Sequence, residues 1–90
     1  MIRARDYTTT GATIPRELAD DLDRYVDLHV LPECSVTRAA IRNDALGMLC
    51  SGTAYSAPTL RAIVLWLHNE APAACHGSAD AVTAWLAVRQ

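Results

Sequence analysis

Four prolines, Pro15, Pro32, Pro58 and Pro72, divide this 90-residue chain into short segments. Proline lacks an amide hydrogen and clashes with the turn before it, so a helix can begin at one but does not run through one. Between the prolines the apolar residues recur at helical spacing. Leu18, Leu22, Tyr25, Val26 and His29 form one stripe, which predicts a helix over about 15–29. The opposite face collects Glu17, Asp20, Asp21, Asp23 and Asp27 and is expected in solvent. Pro32 ends that helix and can open a short one reaching Arg38 or Ala39. Ile41 is then the apolar anchor of a tight connection, and a third helix is expected from Arg42 or Asn43 to Ser51. Gly52 stands where a helix C-cap glycine is expected.

Ser56-Ala57-Pro58-Thr59 is a helix start signal. Leu60, Ile63, Val64 and Leu67 continue it as an apolar stripe beside Trp66, ending near Glu70. Ser78 caps a last helix, with Asp80 in its first turn and Val82, Trp85 and Leu86 on its buried face. Residues 1–13, with Arg3, Arg5 and a threonine run, read as a polar N-terminal arm or short strand. Residues 14–90 read as a single helical domain. The hydrophobic share is 51%, alanine is abundant and phenylalanine is absent. Together with the spacing, this predicts an all-α fold: a compact bundle of about five short helices.

The net charge of −2 gives no overall attraction for nucleic acid. The charge is unevenly spread, however. The acidic residues crowd 17–27, while Arg38, Arg42 and Arg61 lie outside. Cys34, Cys50 and Cys75 are odd in number and widely spaced, which argues against a disulfide framework or a zinc ribbon. The N-terminus has no apolar signal region, and no stretch is long enough to span a membrane. The expectation is a reduced, cytoplasmic protein without a cofactor.

The segment PECSVTRAAIRNDALGMLCSG carries the most specific pattern. Ala39 and Ala40 are small residues at a turn, Ile41 follows as an apolar one, and Leu46 and Leu49 lie one helical turn apart. A loop and the helix opened by Thr59-Leu60 come next. This order resembles the phage-repressor type of helix-turn-helix domain, the Cro/CI-like or XRE-like class, over roughly residues 18–70. Val36, Ser35, Ala40 and Arg42 depart from the residues usual in that pattern.

The resemblance implies a lambda-repressor-like fold and a sequence-specific transcriptional regulator, expected to be a repressor. Its helix 42–51 would lie in the major groove of double-stranded operator DNA. Ala45, Leu46 and Leu49 would then face inward. Arg42, Asn43, Asp44, Gly47 and Met48 would face the bases. Asn43 suits adenine, Arg42 suits guanine or a phosphate, and Asp44 suits a helix cap or a cytosine amine. Arg38, Thr53, Tyr55 and Ser56 are the phosphate candidates. Regulators of this type usually act as homodimers, and Trp66, Trp85, Leu86 and Val88 are the candidates for that interface.

Two other readings compete. TTTGATIPRELADDLDRYV resembles the strand-then-helix start of ribbon-helix-helix repressors, although Gly11 weakens the strand and Pro32 lengthens the connection. The other is a small helical module that binds a protein partner, such as an antitoxin or a phage inhibitor of a host protein. An enzyme is not expected. Cys75-His76 is the best nucleophile-base pair, but adjacent residues point apart. His68, Glu70, Cys75 and His76 flank one loop without a standard zinc spacing.

Overall fold

Pro15 opens the first long helix by offering its carbonyl. In the computed structural model, which describes residues 1–9, 12–51 and 54–88, that oxygen accepts the amides of Leu18 at 3.0 Å and Ala19 at 2.8 Å. Helix α1 then spans Arg16–Leu28. It is followed by α2 (Ser35–Ile41), α3 (Ala45–Ser51), α4 (Ala57–Asn69) and α5 (Ala79–Ala87). Two single 3₁₀ turns, Ala4–Asp6 and Ala73–Cys75, complete the helical content of the described residues, and Thr8–Thr9 (β1) pairs antiparallel with Ala12–Thr13 (β2). The expectation of five short helices therefore holds, with a two-stranded hairpin added. No described helix is long and apolar enough to cross a membrane.

The core forms where α1, α2, α4 and the start of α5 meet. Leu18, Leu22 and Tyr25 of α1, Val36 and Ile41 of α2, Ile63 and Trp66 of α4, and Val82 of α5 are all buried. Tyr25 donates its hydroxyl to the Cys75 carbonyl at 2.6 Å, tying α1 to the turn before α5. The Gly77 amide donates to the Ile41 carbonyl at 2.9 Å, tying the same loop to the end of α2. Gly77 has φ +109°, a conformation that costs glycine little and other residues much.

The acidic face of α1 is not all in solvent. Asp21 and Asp23 are buried, because each serves as an acceptor for a neighbouring segment. Asp21 accepts the amides of Glu33 and Cys34, both at 2.9 Å, and the Thr37 hydroxyl at 2.8 Å. It therefore caps the start of α2 from another helix. Burial alone would raise its carboxyl, but these donors outweigh burial and hold it below the ordinary carboxylate range.

Asp23 accepts the Ala4 amide at 2.7 Å and the Arg5 amide at 3.3 Å. The segment expected as a polar arm is thus held on α1, with Ala4 fully buried and Arg3 paired with Asp27. The strand of the ribbon reading is two residues long and pairs within the chain.

The end of α1 is set by His29, at φ 56° in the left-handed region. Its amide donates to the Tyr25 carbonyl at 3.0 Å. Its ring stacks on Trp85 with centroids 4.1 Å apart, and its Nδ1 lies 2.8 Å from the Trp85 carbonyl oxygen.

A candidate docking surface at the third helix

The helix pair α2–α3 exists, but α2 and the start of α3 lie two to three residues later than expected, while α3 reaches Ser51 as expected. Ala39, Ala40 and Ile41 stay helical, because all three pack into the core. The turn falls on Arg42, Asn43 and Asp44. Asn43 takes φ 58°, a left-handed conformation that asparagine tolerates better than most residues. Its amide donates to the Ala40 carbonyl at 3.1 Å, and that of Asp44 to the Ala39 carbonyl at 2.9 Å. Asp44 then caps α3: its Oδ1 accepts the Gly47 amide at 2.9 Å. A Cβ at position 47 would lie 2.3 Å from Asp44 Oδ2. Gly47, expected to face the bases, makes room for the capping carboxylate.

The shifted turn also changes which side of α3 faces inward. Met48, expected on the base-reading face, is 7% exposed and packs against the core. Leu46 and Leu49, expected as inward anchors, are 73% and 64% exposed. They exceed every other large apolar side chain among the described residues. Ala45 and Cys50 are exposed as well, and α3 carries no charged residue. A flexible methionine can fill an irregular gap between helices, which suits it as the single anchor.

Beside α3 runs a groove of ≈ 270 Å³. Ala40, Met48, Val64 and Leu67 give it apolar walls, and Asn43, Asp44, His68 and His76 contribute polar groups. The His68 and His76 rings meet edge to face, 5.7 Å apart. Burial, with help from His68, pushes the His76 imidazole below its ordinary value, and a hydrogen bond with the Leu67 backbone opposes the shift. The uncharged ring is therefore favoured in the groove. Among the described residues, no group of three or more histidine, cysteine or acidic side chains could hold a metal ion.

The other expected contact residues are scattered. Arg42 and Asn43 are exposed on the turn. Arg38 is half-buried and donates its Nε to the Pro32 carbonyl. Ser56 caps α4, accepting the Thr59 amide at 3.3 Å. The Tyr55 hydroxyl lies 3.5 Å from a Glu17 carboxylate oxygen. Thr53 and the expected C-cap Gly52 lie outside the described residues.

Trp66, expected at a dimer interface, is fully buried in the monomer and donates its indole N–H to the Ile2 carbonyl at 2.8 Å. Trp85 and Leu86 are half-buried, and Val88 is exposed. Cys75 is buried, and burial pushes its thiol up to about 11. It stays protonated at neutral pH, a poor state for a nucleophile.

Sequence reasoning missed the roles of Asp21 and Asp23, whose partners are distant in sequence. The Asn43-Asp44 pair did carry a local signal, since asparagine favours left-handed turns and aspartate favours N-caps.

No family model, curated protein or solved structure matches this chain.

Proposed function

We propose that this chain is a small helical protein-binding module that docks its partner through α3 and the groove beside it. One observation carries the reading: Leu46 and Leu49, the most exposed large apolar side chains among the described residues, project from a helix that carries no charged residue. They are three residues apart and so share one face. Single exposed leucines are ordinary, but a contiguous apolar patch with polar groups at its rim is characteristic of a protein contact site. Covering each leucine contributes about 1.5–3 kcal/mol, with no charge on α3 to desolvate.

A second reading keeps operator DNA as the target. It is favoured by the helix, short turn and helix sequence of α2 and α3, and by Arg42 and Asn43 exposed at the turn. Asn43 can make two hydrogen bonds to the N6/N7 edge of adenine, and Arg42 can reach a guanine or a phosphate. Against it stands the scarcity of cations. Arg38 is engaged by Pro32, and the outward side chains of α3 are alanine, leucine, cysteine and serine, none of them charged.

The two readings part in a titration of a duplex from the gene's own promoter, followed by fluorescence anisotropy over a range of salt. The docking module predicts no specific binding even at low salt. Specific binding with a steep negative salt slope, lost in the Arg42→Ala, Asn43→Ala double variant, would instead establish the DNA reading.

A further inference from the structure

The groove beside α3 is a site in its own right, and neither Leu46 nor Leu49 lines it. Its walls come from four segments: the turn with Asp44, Met48 of α3, Val64 and Leu67 of α4, and the loop with His76. Backbone hydrogen bonds hold the loop and the turn against α2. The Gly77 amide donates to the Ile41 carbonyl, and the Asp44 amide to the Ala39 carbonyl, both at 2.9 Å. The walls are thus fixed by the fold itself, as in most small-molecule sites. The volume of ≈ 270 Å³ exceeds what one side chain fills. An apolar cavity of about 150 Å³ already takes a benzene molecule.

The described lining carries one anion, the Asp44 carboxylate, and no lysine or arginine. Capping α3 uses one of its oxygens, Oδ1, and no described residue donates to Oδ2. Burial favours the uncharged His76 ring, so that side adds polarity without an opposing cation. Such a lining favours a cation with an apolar body and disfavours an anion. We propose that the groove binds a small organic amine, with its protonated nitrogen on Asp44 Oδ2 and its hydrocarbon body along Met48, Val64 and Leu67. The proposal goes beyond the docking reading and does not depend on it: the leucines meet a protein partner, and the groove holds a small molecule. Met48 is the buried residue of α3, so a bound amine bears on the helix that presents both leucines.

The test is a titration of the isotope-labelled full chain at low ionic strength, followed by its amide chemical shifts. The probes are phenethylamine, phenethyl alcohol and phenylacetate, which share one ring and differ in charge. Phenethylamine is expected to shift the amides of Asp44, Met48, His68 and Gly77, with a Kd near or below about 1 mM. The alcohol is expected to bind about fivefold more weakly, and the carboxylate more weakly still. Asp44→Asn keeps a capping side chain and removes the charge, so it should bind amine and alcohol alike. Val64→Arg, at a partly exposed wall position, should abolish amine binding with an unchanged helical circular dichroism spectrum. Equal binding of amine and carboxylate overturns the proposal, and so does full amine affinity in Asp44→Asn. It is also overturned if phenethylamine moves no groove amide up to about 20 mM, which leaves the groove to a docked protein's side chains. None of these results touches docking at Leu46 and Leu49, which fails separately if the duplex titration shows specific binding.

Discussion

The Thr37 hydroxyl donates to the Asp21 carboxylate at 2.8 Å, joining the first turn of α2 to the middle of α1. The same carboxylate receives two amides from the chain leading into α2. The Asp21→Ala substitution removes the acceptor for all three donors inside the fold. The expected loss is about 3 kcal/mol of stability, measured by urea denaturation. Asp20→Ala, one residue earlier and partly exposed, should change stability by no more than about 0.5 kcal/mol.

Asp21 also sets an acid limit. Its folded-state pKa lies below the ordinary 3.8, so the folded chain holds this proton less tightly than the unfolded chain does. The stability it contributes is complete above the unfolded value and is lost as pH falls through the folded one. Thermal melts of the wild type should therefore fall more steeply below about pH 4 than melts of Asp21→Asn, which has no such carboxylate to protonate.

The orientation of α3 is tested by three truncations. Met48→Ala opens the core and should cost about 2–4 kcal/mol. Leu46→Ala and Leu49→Ala remove exposed side chains and should each cost less than about 0.5 kcal/mol. An inward pair of leucines would give the reverse order.

Much of the fold was legible because its signals are local. Ser56 and Ser78 cap α4 and α5 with their own side chains, three residues from the amides they receive. The stripe Leu18, Leu22, Tyr25 and Val26 is buried as its spacing requires. The direction of α3 was not legible. Alanine, leucine and methionine occupy every side of a two-turn helix, so periodicity cannot choose among them. The choice falls to the turn before it, where Asn43 takes the left-handed position and Ala39 and Ala40 stay helical. The burial of Asp21 and Asp23 was hidden for another reason: their partners are 12 to 19 residues away and most are main-chain amides, which no residue type announces.

The cysteines offer a direct probe of the same geometry. Cys50 lies exposed on α3, and Cys75 is fully buried with its thiol pushed up to about 11. A thiol reagent at neutral pH should label Cys50 rapidly in the native protein. Cys75 should be labelled only after denaturation. Equal labelling rates in the native state would contradict the burial of the turn before α5.

The docking role of α3 is tested most directly by site-specific photo-cross-linking in the cells that express this chain. A photoreactive residue is placed at position 46, 49 or, as a control, 20. Discrete protein adducts are expected from 46 and 49 and none from 20. Adducts to DNA from 46 and 49, or adducts no stronger than those from 20, would contradict that role.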